Sequence, residues 1–257
     1  MRFKVVIPAR YGSTRLPAKA LADIAGRPMI QWVSAAALAS GADEVVVATD
    51  DARVADAAAG ESHVTVVMTR EDHPSGTDRI AEVAQLRGWS EADIVVNVQG
   101  DEPLLPPQLI DQVADLLASD VRADIATLST PITSIAEFLD PNAVKVVSAS
   151  DHSALYFSRA PIPWNRDGAK LNLMSQTQFD GAQRHLGIYA YRVASLRRIT
   201  SMKPSTLELA EKLEQLRAMQ AGMRILVAQA CAPAGTGVDT EHDLARVRAI
   251  VAARAHR

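Results

Sequence analysis

The sequence predicts an open α/β structure of the doubly wound kind, built on a mostly parallel sheet that becomes mixed through a small antiparallel extension. Two observations carry the prediction. Short, β-branched and nearly uninterrupted apolar runs recur through the first half, as expected of strands covered on both faces. Between them lie stretches of helical length, bounded by residues that start and stop helices. Alternation of the two is the mark of stacked βα units.

In chain order, Lys4–Ile7, Glu44–Ala48, Val64–Met68 and Asp93–Val98 read as strands. The first helix begins at Pro28, whose fixed φ suits a first turn, and stops near Gly41. Further helices cover 52–59, 78–87 and 106–117. The second half is less regular. Ile125–Leu128, Val144–Val147 and Leu186–Tyr191 read as strands without short crossover helices between them, which predicts antiparallel additions to the sheet or a projecting subdomain. Pro161–Arg184 is a long connection suited to a lid, a dimer contact or a disordered loop. Ser205-x-x-Glu208 is a capping box opening a helix that ends at Gly222, with Leu209, Leu213 and Leu216 as its buried stripe. A strand over 224–230 follows, and Cys231 beside it reads as a small core residue. The last helix spans about 240–253. Without an internal repeat, low-complexity tract or linker, residues 1–257 read as a single domain.

Composition narrows the function classes. At 257 residues and 48% hydrophobic with 4% aromatic, the chain has an ample core that must be aliphatic. A net charge of -3 argues against bulk nucleic-acid binding. One cysteine excludes an intrachain disulfide framework and a cysteine-based zinc site, and fits a reducing compartment. The opening MRFKVV reads as a strand rather than a signal peptide. The uncharged stretch Pro28–Ala42, 15 residues with Gln31 and two serines, is too short and polar to span a bilayer. The expectation is a soluble cytoplasmic protein that neither enters membranes nor binds nucleic acid.

The chemistry concentrates where strands end. Between Met1 and Ala22 stand five basic residues and no acidic one, and the loop Ala9–Lys19 follows the first strand directly. Arg10, Arg15 and Lys19, with Ser13 and backbone amides, suit a triphosphate cradle; the plain alternative is a solvated basic loop. The glycine spacing matches neither a Walker A loop nor a dinucleotide fingerprint. Gln99 and Asp101 stand at the end of the fourth strand, where ligands bind in open α/β sheets. Asp101 suits Mg²⁺, which takes one or two carboxylates with phosphate oxygens and water; Gly-Asp and Glu-Pro also suit an ordinary turn. Asp239, in Gly235–Thr240, is either a second metal ligand or a helix cap. Ser75, Gly76 and Arg79 open a helix whose free amides suit a base edge or phosphate, or simply a helix start capped by Thr77. Glu208, Glu211 and Gln215 form a polar stripe, either a solvated face or acceptors for sugar hydroxyls. Arg159 is a candidate carboxylate fork, and His185 is either a base or donor or a structural histidine.

Taken together, IPARYGSTRLPAK (7–19), VATD (47–50), MTREDHPSGTDR (68–79), VNVQGDEP (96–103), PNAVKVV (141–147), ALYFSRAPIPW (154–164), RHLGIYAYR (184–192), LEQLR (213–217) and GTGVDTEHDL (235–244) resemble the 3-deoxy-manno-octulosonate (Kdo) cytidylyltransferase family. The resemblance implies a nucleotide-diphospho-sugar transferase type of fold and the reaction of CTP with Kdo to CMP-Kdo and pyrophosphate, with Mg²⁺, for lipopolysaccharide biosynthesis. It implies that Arg10, Ser13, Arg15 and Lys19 hold the triphosphate, that Ser75, Gly76, Arg79 and Gln99 surround the nucleoside, and that Ala9 belongs to the same nucleotide site. Asp101 and Asp239 would hold Mg²⁺. Arg159, His185, Tyr189, Glu208, Glu211 and Gln215 would line the sugar site. Arg10, Lys19, Asp101 and Asp239 would carry the catalysis. The family is typically a cytoplasmic homodimer. It commonly has glycine where this chain has Ala18. The rival enzymes are a CMP-sialate synthetase, a sugar-1-phosphate nucleotidyltransferase or a variant acting on an 8-amino analogue; the rival outside enzymes is a non-catalytic nucleotide-binding protein.

Overall fold

The computed structural model describes residues 2–12, 16–169, 171–172 and 175–255. Its organising element is β1 (Phe3–Pro8), whose Val5, Val6 and Ile7 are wholly buried. Parallel neighbours flank it: β4 (Glu44–Thr49) on one side and β6 (Ile94–Asn97) on the other, with β5 (Val64–Met68) beyond β4. Two minimal strands, β2 (Asp23–Ile24) and β3 (Arg27–Pro28), form a separate antiparallel pair.

The helices α1 (Met29–Leu38), α2 (Ala52–Ala59), α3 (Gly76–Leu86) and α4 (Pro107–Ser119) alternate with these strands. Strand residues sort by parity between the two sides. Val5, Ile7, Val45 and Val47 pack with α1, α2 and α4, whereas Val6, Val46 and Ala48 pack with α3. That double covering explains why these strands read as continuous apolar runs. The expected helix over 78–87 begins earlier, at Gly76, because Ser75 rather than Thr77 is the cap: it is extended and its Oγ accepts from Asp78 N at 3.2 Å.

The second half is the antiparallel extension. Following β7 (Ile125–Pro131) and the short α5 (Ile135–Leu139), the hairpin β8 (Lys145–Ser148) and β9 (Ala154–Ser158) leads into β10 (Gln183–Arg192). Among the described residues the main path is β11-β7-β10-β6-β1-β4-β5, where β11 is Ile225–Gln229 and β10 runs antiparallel between β6 and β7. Strand β9 is not legible in the sequence, because it pairs only with β8 and leaves Leu155 exposed. The helices α6 (Val193–Ser201), α7 (Thr206–Glu211) and α8 (Gln215–Gln220) follow, and α9 (Glu241–Ala255) closes the described chain.

Two expectations are corrected here. The single helix from Ser205 to Gly222 is two, because Lys212 takes a left-handed conformation (φ 55°, ψ 45°) that ends α7. The periodicity across the break is lost, so Leu209 is exposed while Leu213 and Leu216 are buried. Cys231 is exposed rather than in the core, because β11 ends at Gln229 and the chain turns over the surface.

Candidate active site

The loops that leave β1 and β6 at their carboxyl ends enclose a cleft of ≈ 320 Å³. Ala9, Arg10 and Lys19 line it from the loop after β1, and Gln99, Gly100 and Asp101 from the loop after β6. Close approach of these two loops depends on Gly100, where a Cβ would sit 3.0 Å from Pro8 O. The start of α3 supplies the third wall with His73, Ser75, Gly76 and Arg79.

Asp239 completes the cleft from far along the chain. Val238 is buried with Leu16, Ile24, Met29 and the α9 residues Leu244, Val247 and Val251. Its N–H donates to Asp101 O at 2.8 Å. Gly235 lets the segment press against the β6 loop, since a Cβ there would lie 2.3 Å from Leu104 O. Of the two expected roles, capping is filled by a neighbour: Thr240 Oγ1 accepts from Asp243 N, and Asp243 Oδ2 accepts from Asp239 N and Thr240 N. The Asp239 carboxylate instead meets Lys19.

Lys19 Nζ donates to Asp101 Oδ2 at 2.6 Å and to Asp239 Oδ1 at 3.2 Å. One ammonium therefore spans two carboxylates, which places their oxygens within reach of a common cation. Two carboxylates and an open side fit Mg²⁺, which completes its shell with phosphate oxygens and water. Ala18, just before Lys19, holds a left-handed conformation at φ 54°. Ser13 and Arg15 lie outside the described residues.

Arg79 lines the cleft with its guanidinium already engaged. It is buried, donates to Asp50 Oδ2 at 2.6 Å and to Thr69 Oγ1, and so ties α3 to the ends of β4 and β5. Sequence reasoning missed Glu102. Burial, followed by the adjacent Asp101 charge, pushes its carboxyl up to about 7. The signal was its place in the same strand-end run as Asp101.

A second, smaller pocket of ≈ 160 Å³ adjoins the cleft and shares Gln99 with it. Asn97 and Tyr189 line it from the sheet, Thr77 from α3, and Glu214 and Gln215 from the α7–α8 junction. Thr77 Oγ1 donates to Glu214 Oε2 at 3.0 Å, and burial raises the Glu214 pKa. Burial likewise raises the pKa of Tyr189, which stacks on Tyr191 at 5.6 Å between ring centroids. Gln215 Nε2 is buried and donates to no acceptor among the described residues, as expected of a group facing a ligand.

The expected sugar-site residues divide. Tyr189 and Gln215 line the small pocket, and His185 lies behind Tyr189 at 5.1 Å between ring centroids. Arg159 and Glu211 are joined elsewhere: Glu211 accepts from Ser158 Oγ (2.6 Å) and Arg159 N (2.8 Å), and Arg159 Nε donates to Glu211 O (2.6 Å). Glu208 forms a two-bond pair with Arg217, at 2.6 and 2.8 Å. Glu214 was missed because an unbroken helix places it off the Glu208–Glu211 face; the break at Lys212 turns it inward.

Comparisons with known proteins agree with this geometry. The cytidylyltransferase family model matches residues 4–225. The 3-deoxy-manno-octulosonate cytidylyltransferase of Cellvibrio japonicus is 55% identical, with 98% of each chain covered. The protein of the same name from Thioalkalivibrio sulfidiphilus is 52% identical over 98% of this chain and 100% of its own. Among solved structures, a CMP:2-keto-3-deoxy-manno-octonic acid synthetase complexed with CTP matches with a TM-score of 0.87 and 44% identity, over 98% of this chain and 99% of that one. A cytidylyltransferase from Leptospira borgpetersenii shares the fold at 16% identity, with a TM-score of 0.61 over 98% and 87% of the two chains. With a strand-end cleft that brings Lys19, Asp101 and Asp239 together, and with relatives aligned from end to end, the chain belongs to the 3-deoxy-manno-octulosonate cytidylyltransferase family.

Proposed function

We propose that this chain transfers CMP from CTP to Kdo and releases pyrophosphate. The observation that carries the reading is the meeting of Lys19, Asp101 and Asp239 in a cleft that shares Gln99 with a second pocket. CTP takes the cleft and Kdo the pocket, and Gln99 lies on the boundary between them. The anomeric hydroxyl of Kdo attacks the α-phosphorus in line. A bond forms from that oxygen to phosphorus, the bond to the bridging α,β-oxygen breaks, and the hydroxyl proton passes to solvent.

The chain's own residues do this by positioning and by neutralising charge. Arg10 and Lys19 face the triphosphate and stabilise the departing pyrophosphate. Ser75 and Gly76 turn the amino end of α3, with its free amides, toward the nucleotide. Tyr189, Glu214 and Gln215 hold the sugar. Asp101 and Asp239 would hold Mg²⁺, which neutralises phosphate charge and lowers the pKa of a coordinated hydroxyl.

Among the described residues no helix is long and apolar enough to cross a membrane. The lone cysteine and the use of CTP support action in the cytoplasm. The exposed Leu155 on β9 and Trp164 after it support pairing with a second copy.

Pyrophosphate release from CTP, measured across Kdo, N-acetylneuraminate and a sugar 1-phosphate, tests the reading. Kdo is the preferred acceptor, chelation stops turnover and Mg²⁺ restores it. Faster turnover with N-acetylneuraminate than with Kdo overturns the assignment.

A further inference from the structure

Thr127 is fully buried on β7, opposite an irregularity in β10. The two strands keep register as far as Leu186 opposite Leu128 and resume at Tyr189 opposite Thr127, so Gly187 and Ile188 are accommodated without partners on β7. Such a bulge interrupts the ladder and strands backbone carbonyls that need donors. Thr127 Oγ1 lies 2.7 Å from Ile188 O, 3.1 Å from Leu186 O and 3.0 Å from His185 Nε2.

A hydroxyl has one proton, and a carbonyl oxygen only accepts. At 2.7 Å, two buried oxygens without a proton between them repel, so the proton lies toward Ile188 O, with Leu186 O beside it. Oγ1 then offers only lone pairs to His185, and Nε2 must be the donor. Burial pushes the His185 pKa down to about 3, so the ring is neutral at pH 7. The ring is also held edge-on by Phe157, at 5.1 Å and 85°.

We propose that Thr127 is a positioning residue for the sugar pocket: its hydroxyl closes the β10 bulge and fixes His185 as the Nε2–H tautomer, with Nδ1 kept as an acceptor. The bulge separates His185 from Tyr189, the pocket-lining ring beside it, so one hydroxyl sets both. The catalytic consequence rests on the functional reading above.

Thr127→Val keeps the branched shape without the proton, and Thr127→Ser keeps the hydroxyl. With CTP and Kdo, Thr127→Val raises the KM for Kdo about tenfold, the size of one lost hydrogen bond, and leaves the KM for CTP within about twofold. Thr127→Ser restores the wild-type KM for Kdo. Ring-nitrogen NMR of ¹⁵N-histidine-labelled wild-type protein at pH 7.5 shows Nε2 protonated and Nδ1 bare for His185. An unchanged KM for Kdo in a folded Thr127→Val protein overturns the proposal, as does a serine variant that behaves like valine. A wild-type Nδ1–H tautomer overturns it even where the valine variant fails to fold. A wild-type protein that does not turn over Kdo overturns the functional reading alone, and the tautomer still decides this inference.

Discussion

The cleft and the pocket beside it share Gln99 but rest on opposite electrostatics. In the cleft, charge meets charge: Lys19 spans Asp101 and Asp239 on an open, solvated side. In the pocket, burial has suppressed charge. His185 is neutral, Tyr189 keeps its proton and the Glu214 pKa is raised. The difference suits the proposed placement of triphosphate in the cleft and of the sugar's hydroxyls in the pocket: ion pairs are weakened by screening, whereas oriented neutral donors and acceptors discriminate because an unmatched group is costly.

The comparison breaks first at the cleft. Asp101→Asn is expected to keep the fold, read by an unchanged circular dichroism melt, and to lose at least about 100-fold in Mg²⁺-dependent turnover, the size of removing one electrostatic contact to a transition state. Full activity in that variant removes the metal assignment. On the pocket side, Arg217→Met strips Glu208 of its two-bond partner and also frees Ile199 O and Met202 O. Both partners are largely buried, at 12% and 13% side-chain exposure, so the loss is about 2–3 kcal/mol in a denaturant titration. The KM for Kdo rises with it, because α8 carries Gln215.

Acid sharpens the contrast. The folded-state pKa of His185 lies near 3, below the ordinary value of 6.5, so the unfolded chain binds this proton first as pH falls. Its contribution to stability is present above about pH 6.5 and is lost progressively toward pH 3. Between pH 7 and pH 5 the loss from this residue is about 2 kcal/mol, and His185→Asn melts with that much less pH dependence. An identical pH dependence in the two proteins argues against a buried neutral ring. The smallest effect lies back at the cleft. Ala18→Gly relieves a left-handed alanine worth about 1–2 kcal/mol and gives back part of it as chain entropy, so a gain of about 0.5–1 kcal/mol is expected in the same titration.

The two regions also differ in how legible they were. The cleft was readable because each part is a local event at a strand end: apolar β-branched residues stop, and Arg10, Gln99, Asp101 or Asp239 follow. The parallel register of β1 and β6 brings the first three together, whereas Asp239, ten residues beyond β11, arrives through the docking of Val238 on the β6 loop. The pocket depends on three features with no strong local signal. Strand β10 runs antiparallel between parallel neighbours, Lys212 breaks a helix that the leucine spacing predicts to continue, and Glu214 turns inward only because of that break. Gln215 was reached from the polar stripe and Tyr189 through resemblance, whereas Arg159 and Glu211 are engaged with each other and Glu208 with Arg217.

Every described strand of the sheet precedes Asp239, which reaches the cleft beside Val238, docked on the β6 loop. A ribosome that has laid down the whole sheet has therefore not yet made the site. A nascent chain paused after β11 carries Lys19 and Asp101 with only one of the two acidic groups. Lys19, Asp101 and Asp239 meet only once the polypeptide has passed Asp239 and Val238 has docked.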